Sequence, residues 1–203
     1  MDRIEPLLDN RAYHLYNRGN NQQTIFHCSV DYEAFLQKLD RGATEYGVAL
    51  LAFVLMPNHY HLLGLQKPGG SIPEMMNALG TSSARRYNFK YSHTGHVFQG
   101  PYRRSLITTD EGVADAARYI HLNPVRAGLS RLPEEWPYSS YPLLVGCPTS
   151  RGMRNHFSFG AHDPQRLLAL FGGDVRRYVE FVGETVAFEE QIGKLLFEGG
   201  ASS

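Results

Sequence analysis

Apolar residues in this chain change period several times, and each change marks an element. From Ala12 to Asn17 the order Ala-Tyr-His-Leu-Tyr-Asn alternates as a strand does, and Arg18-Gly19-Asn20-Asn21 supplies turn chemistry. Tyr32, Phe35, Leu36, Leu39 and Ala43 recur at helical spacing, which predicts a helix capped by Ser29 or Asp31, running through about Tyr46 and ended by Gly47. Val48 to Met56 is an apolar run read as a buried strand. Pro57-Asn58 breaks it, and His59 to Gln66 resumes as its antiparallel partner. Ser71-Ile72-Pro73-Glu74 has the Ser-x-x-Glu capping box with proline near the first turn, opening a helix to about Tyr91. His93 to Gly100 reads as a loop or hairpin and Tyr102 to Thr108 as a strand. Thr109 or Asp110 then caps a helix that Pro124 stops near Leu122.

Strand, helix, strand, strand, helix, strand and a further helix is the order of a split βαββαβ unit. The expected class is therefore α+β: a ferredoxin-like antiparallel sheet with helices on one face, the last helix being able to cover the face that carries the histidines. The main domain is expected over residues 1–145 and a linker with a helical C-terminal appendage over 146–203. The appendage opens with a Gly/Pro/Ser-rich stretch from about Gly146 to His162, followed by Leu167, Leu168, Leu170 and Phe171, then Val175, Tyr178, Val179, Phe181 and Val182. These read as two small helices that pack either on the main domain or on nucleic acid.

An apolar content of 42% with 20% charged residues is ordinary for a globular chain of 203 residues and enough for a real core. Twenty basic and twenty acidic residues cancel, so net charge carries no polyanion signature. The distribution does more. Between Thr81 and Arg131 stand Arg85, Arg86, Lys90, Arg103, Arg104, Arg118, Arg126 and Arg131 against Asp110, Glu111 and Asp115, while Glu180, Glu184, Glu189, Glu190 and Glu198 gather near the C-terminus. A basic middle suits a local polyanion groove, and a solvated charged surface is the alternative. Cys28 and Cys147 are far apart, without CxxC spacing, and support neither a zinc knuckle nor a disulfide framework. No basic leader, apolar h-region or membrane-length apolar window is present, so a soluble, cytoplasmic protein is expected.

The candidate chemistry centres on Leu-Met-Pro-Asn-His-Tyr-His-Leu-Leu-Gly-Leu, residues 55–65. In a strand, His59 and His61 share a face and can grip one divalent cation, while Tyr60 turns to the core. Tyr119 and Asn123 lie four apart on a helix, on one face. A cation suits attack on a phosphodiester because charge develops on its non-bridging oxygens. The nucleophile is then either water or a tyrosine phenol, whose covalent adduct retains the bond energy needed for resealing. Asn123 can add its amide oxygen to the cation's shell, and Arg118 or Arg126 can hold phosphate. Arg85 and Arg86 are equally suited to phosphate, and Arg103 and Arg104 sit among aromatics that suit stacking on unpaired bases. After Arg18, the glycine at position 19 can let the backbone near Asn20 approach a base or phosphate. His14, His93, His96 and His121 have no spacing argument and read as surface or loop residues.

Three blocks together resemble a known family: Tyr-His-Leu-Tyr-Asn-Arg-Gly-Asn-Asn at 13–21, Met-Pro-Asn-His-Tyr-His at 56–61, and Tyr-Ile-His-Leu-Asn-Pro-Val-Arg-Ala-Gly at 119–128. In order and approximate spacing they resemble the REP-associated tyrosine transposases, of the single-tyrosine branch of the HUH (His-hydrophobic-His) endonucleases, with Trp136-Pro137-Tyr138-Ser139-Ser140 fitting the downstream pattern. The resemblance spans roughly residues 12–145. It implies the HUH version of the ferredoxin-like fold, a Mg²⁺ or Mn²⁺ ion, and cleavage of single-stranded DNA near a palindromic, REP-like hairpin through a 5′-phosphotyrosine. It also implies His59 and His61 as metal ligands, Tyr119 as nucleophile and Asn123 as an accessory ligand, where insertion-sequence relatives have a glutamine one methylene longer. The REP-associated group points to a monomer, and a dimer that swaps the tyrosine helix between subunits, as insertion-sequence relatives do, is the alternative.

The expected function is thus a metal-dependent single-stranded DNA nickase and strand transferase. Two rivals stay open at this stage: a hairpin-binding regulatory protein with no chemistry, and a phosphodiesterase that uses water as its nucleophile.

Overall fold

The computed structural model describes residues 7–147 and 159–185. Strand β2 (Val48–Met56) is buried at every position, so both of its faces need cover, and that requirement sets the layers. Its apolar run changes phase near Leu51, where pairing with β3 (His59–Gln66) shifts register between Leu50 and Ala52. This bulge sends Val48, Leu50, Phe53 and Leu55 into one core and Ala49, Leu51, Ala52, Val54 and Met56 into the other.

With β1 (Ala12–Arg18) and β4 (Arg103–Ile107) these strands form an antiparallel sheet in the order β2-β3-β1-β4. That is the ferredoxin-like α+β arrangement the element order predicts. Helices α1 (Ser29–Glu45) and α2 (Ile72–Tyr91) cover one face, packing Tyr32, Phe35, Leu36 and Leu39 with Met75, Met76 and Leu79 against Leu15, Phe53, Tyr60 and Leu62. The capping box holds at α2, where the Glu74 N–H donates to Ser71 Oγ at 3.3 Å. At α1 the N-cap is Cys28, which makes no side-chain cap; Asp31 instead accepts from the His27 N–H one step upstream.

Helix α3 (Asp110–Arg126) lies on the opposite face, where Ala117, Ile120 and Leu122 meet Val54, Met56, Leu63 and Leu65, so helices cover both faces of the sheet and not the one face expected, because β2 is apolar on both sides. Thr109 caps it by accepting from the Gly112 N–H at 3.0 Å. The helix does not stop before Pro124 but runs on to Arg126. Proline forfeits one backbone donor, and burial of Pro124 in the last turn outweighs that loss. His121, read from sequence as a surface residue, is fully buried. Its ring bridges Tyr178 Oη and Ser140 Oγ, each at 2.7 Å.

The outer edge of β2 is covered by the chain's own later segments. Leu55 N–H donates to Tyr138 O, Ser140 N–H to Phe53 O, and Leu50 N–H to Ala161 O, at 2.8–2.9 Å. A helical turn at Pro164–Leu168 and a helical stretch over 175–185 then set Leu167, Leu168, Tyr178 and Val182 into the α3 side of the core. Of the two placements open for the tail, its described part takes the main domain. Residues 148–158, most of the expected linker, and Glu189, Glu190 and Glu198 lie outside the described residues. No helix among the described residues is long and apolar enough to cross a membrane.

Candidate active site

Register decides which side chains share the α3 face. Tyr16 pairs with His61, Arg18 with His59 and His14 with Leu63, and across the other edge of β1 Tyr16 pairs with Arg103. Directly opposed residues in antiparallel strands project to the same side. His14, Tyr16, Arg18, His59, His61 and Arg103 therefore stand together, while Tyr60 turns to the other face and is buried there.

His59 and His61 are side by side, ring centroids 5.1 Å apart and near-perpendicular. His61 is buried, with only 8% of its surface exposed, and shares a 2.9 Å hydrogen bond between its Nδ1 and His14 Nε2. The two rings are 5.0 Å apart and tilted by only 24°, so this bond lies nearly in both ring planes. His59 Nδ1 bonds Asn58 Oδ1 at 2.6 Å, and its ring also bonds the Asn123 side chain. Burial, with the neighbouring rings of His14 and His59, pushes His61 down to about 3. Burial lowers His14 and His59 as well. All three are therefore neutral near pH 7, and a neutral imidazole has a lone pair to offer.

Helix α3 brings Tyr119 over this cluster. Its ring meets His61 edge-on at 5.6 Å and His14 at 5.9 Å, and 42% of the residue stays open to solvent. The Arg126 guanidinium stands 5.4 Å from the same ring. One turn on, Asn123 donates through Nδ2 to the Tyr119 carbonyl at 2.9 Å, which pins its amide beside His59.

From the histidines a groove of about 630 Å³ runs to the open end of the sheet between Tyr16, Asn17, Arg18, Gln22, Asn58, Gln99, Gly100, Pro101 and Arg103. Arg18 Nε donates to Gln99 Oε1 at 2.9 Å, which spreads its guanidinium along the groove wall. Gly19 is explained by packing: a Cβ there would stand 2.2 Å from the Gln23 carbonyl oxygen. Asn21 and Gln22 both hold left-handed backbone, at φ 49° and 60°, and the Asn58 side chain ties down the Gln22 carbonyl at 3.2 Å. Such strain in non-glycine residues persists only where surroundings over-determine it.

The structure thus brings together Tyr119, His59, His61, Asn123, Arg126, Arg18 and Arg103, with Gly19 and Asn20 in the turn at the groove's end. It does not bring the other arginines there. Arg104 alternates to the opposite face and bonds Tyr102. Arg118 pairs with Asp115 at 2.7 Å and lies 4.0 Å over the Phe181 ring, so it fastens the C-terminal helical stretch. Arg85 and Arg86 are on α2, across the sheet. Among residues that sequence reasoning passed over, His14, Tyr16, Asn58 and Gln99 all line the cluster or its groove. The alternation of β1 was a usable signal for His14 and Tyr16, since both occupy the phase of Arg18.

No three His, Cys, Asp or Glu side chains converge as a metal cage among the described residues. The donors present are the two imidazoles and the Asn123 amide, which is the composition of a site that leaves positions open for substrate and water.

The sequence pattern of the family described as "Transposase IS200 like" matches residues 8–123, a span that holds His59, His61, Tyr119 and Asn123. The chain is 28% identical over 125 residues to a protein of Haemophilus influenzae named a REP-associated tyrosine transposase, covering 55% of this chain and 70% of that protein. A solved structure of a REP-associated tyrosine transposase bound to a REP hairpin superposes with a TM-score of 0.59 at 14% identity, covering 80% of this chain and 98% of the other. That second likeness is one of fold.

Proposed function

Because the chain belongs to the IS200-like transposase family, we propose that it nicks and rejoins single-stranded DNA beside a hairpin-forming, REP-like repeat, with Tyr119 as nucleophile. The observation that carries this reading is the meeting of Tyr119 with His61 and His14 within one chain, at the head of a groove walled by Arg18 and Arg103.

Tyr119 Oη would form the new bond to phosphorus while the bond from phosphorus to the 3′ oxygen breaks. The phenol proton goes to water, and the departing 3′ oxygen takes a proton from water and leaves as a 3′-hydroxyl. The product is a 5′-phosphotyrosine, and attack by a 3′-hydroxyl reverses the step and reseals DNA. Tyr119 is partly open to solvent, the side from which a phosphate would enter. Arg126, beside the ring, and Arg18 and Arg103, along the groove, would hold phosphates of the bound strand. Asn17 and Asn58 spend their amides on Gly100 O, Arg18 N–H, Gln22 O and His59, which shapes the groove, and Gln99, whose Oε1 takes Arg18 Nε, can turn its Nε2 to an unpaired base edge.

His59, His61 and the amide oxygen of Asn123 are the groups that would hold the family's divalent cation, Mg²⁺ or Mn²⁺, with the nitrogen donors favouring Mn²⁺. When bound, such an ion supplies charge stabilisation at the non-bridging phosphate oxygens. The chain's own part is to present both imidazoles neutral and fixed. Asn58 holds His59 and His14 holds His61, each through Nδ1.

Residues 1–145 form the catalytic unit in this reading, and the tail braces it through Tyr178 and Val182. The site is complete in one chain, which fits a monomer. A DNA substrate places the work in the bacterial cytoplasm.

The test is incubation of the purified protein and of Tyr119→Phe with labelled single-stranded hairpin DNA taken from beside its own gene, with and without Mn²⁺, on a denaturing gel. A covalent adduct that the variant lacks is the expected result. Tight binding with no adduct under any divalent cation would leave a hairpin-binding protein, and turnover without an adduct would leave a water-using phosphodiesterase.

A further inference from the structure

Tyr119 stands between two residues of α3 that face the helical stretch over 175–185 and not the histidines. Arg118 and His121 are three apart and so share one side of the helix, next to the side that carries Tyr119, Asn123 and Arg126. The Arg118 guanidinium lies 4.0 Å over the partly buried Phe181 ring, aimed there by its 2.7 Å pair with Asp115 one turn back. His121 Nδ1 shares a 2.7 Å hydrogen bond with Tyr178 Oη. Its Nε2 shares another with Ser140 Oγ, which accepts from the Phe53 N–H of β2 at 2.8 Å. Tyr178 is fully buried, with its ring 5.1 Å from Phe171 and 6.3 Å from Phe181, so these two holds on α3 rest on a packed base.

The other sides of α3 resist rotation less. Toward its N-terminus the sheet side is built of Val113, Ala114, Ala116 and Ala117, and such small side chains make shallow ridges that interlock little with a neighbour. On the site side, Asn123 joins the Tyr119 carbonyl to His59, but a carboxamide on a rotatable side chain follows the helix as it turns. Small rotations matter here. Helix side chains reach about 5–6 Å from the axis, so a turn of about 10° carries their tips roughly 1 Å. A misplacement of about 1 Å at a reacting centre costs on the order of 100-fold in rate.

We propose that Tyr178 and Phe181 are positioning residues for the tyrosine chemistry: by holding His121 and Arg118 they fix how far α3 is turned about its own axis, and so where the Tyr119 phenol stands over His61 and His14. The inference rests on the function proposed above, and it gives the tail a part in the reaction without any contact with DNA or metal. Binding is left alone, because the groove residues Arg18, Gln99 and Arg103 belong to β1, to β4 and to the segment between α2 and β4.

The experiment compares wild type with Phe181→Leu, Phe181→Tyr and Tyr178→Phe at a temperature where circular dichroism shows all four folded. The first variant removes the π face and keeps an apolar side chain, the second keeps the ring, and the third removes one hydroxyl. Each is scored for the single-turnover rate of adduct formation at saturating hairpin DNA and Mn²⁺, and for the dissociation constants of both. In the metal-free protein, the NOE between the ring protons of Tyr119 and His61, whose centroids are 5.6 Å apart, reports position directly. Phe181→Leu and Tyr178→Phe should slow adduct formation by roughly 10- to 100-fold, with both dissociation constants unchanged and the NOE weakened. Phe181→Tyr should keep the wild-type rate and NOE. A wild-type rate and NOE in either Phe181→Leu or Tyr178→Phe would overturn the positioning role while leaving the tyrosine chemistry standing. So would losses of rate and affinity that move together with the melting temperature and are not spared in Phe181→Tyr. A wild type that forms no adduct would overturn the function proposed above, and this inference with it.

Discussion

His14 Nε2 and His61 Nδ1 are 2.9 Å apart in nearly coplanar rings, so the tautomer of one fixes that of the other. With Nδ1 of His61 committed to His14, its other nitrogen faces the site. Partners of this kind typically change metal affinity 10- to 100-fold when removed. His14→Ala should therefore weaken Mn²⁺ binding by roughly that factor, measured by titration calorimetry or electron paramagnetic resonance, with the fold intact by circular dichroism. Nitrogen NMR of the metal-free protein gives an independent reading: His61 should show one dominant tautomer in wild type and a mixture in the variant. Unchanged affinity and tautomer would remove His14 from the site.

Much of this site was legible before any coordinates. The period-2 phase of 59–65 set both histidines on one face, and the capping signals at Ser71 and Thr109 placed α2 and α3. What failed was long-range. Nothing in the neighbourhood of His121 announces that Tyr178 and Ser140 will surround it, because those partners lie 57 and 19 residues away. Arg118 looked like a phosphate ligand beside Tyr119, but adjacent helix positions face different ways, and the helical stretch over 175–185 supplied Phe181 on that side. The adjacent pair Arg103 and Arg104 was split by strand alternation. His14 was recoverable by the same alternation that found His59 and His61, had β1 been read for its facing set as well as for its existence.

The His121 bridge makes a stability prediction. Tyr178 Oη and Ser140 Oγ satisfy both ring nitrogens of a residue with no solvent contact. Tyr178→Phe leaves one nitrogen unpaired, a loss of about 1–3 kcal/mol for a buried polar group. Urea unfolding should show that loss with an unchanged slope. An equal midpoint would mean that the bridge is replaced by other contacts.

The same residue sets an acid sensitivity. Burial lowers His121 to about 3, with His162 adding a smaller like-charge effect, against about 6.5 in an unfolded chain. Between those values the unfolded state binds a proton that the folded state refuses, so stability is full above about pH 6.5 and falls as pH drops, by about 1.4 kcal/mol per pH unit for this one group. Asp31 acts in a lower window. Burial would raise it, but hydrogen bonds from Lys90, Tyr91 and the His27 N–H hold it at about 2. Its contribution is present above roughly pH 4 and fades only as pH falls towards 2. Unfolding free energies from pH 8 to 4 should decline from near pH 6.5 in wild type and more shallowly in His121→Gln. A flat wild-type profile over that range would contradict the buried neutral imidazole.

Tyr119 reaches His61 and His14 of its own chain because α3 packs Ala117, Ile120 and Leu122 directly on the sheet that carries them. The long edge of that sheet is closed too: β2 gives its outer hydrogen bonds to residues 138–140 and 161–163 of the same chain, which bars sheet-to-sheet joining at that edge. Each chain should then act alone. A mixture of Tyr119→Phe with a His59→Ala/His61→Ala protein should form no adduct above the sum of the two alone, at any ratio and at concentrations up to those that drive weak dimers. An assembly that shared sites between chains would restore activity in the mixture, because one subunit would lend its tyrosine and the other its histidines. Sedimentation of the wild type with and without hairpin DNA supplies the second half of the test. A single-chain mass in both conditions agrees with the closed edge, and a two-chain mass together with restored adduct would mean that α3 can leave its own sheet.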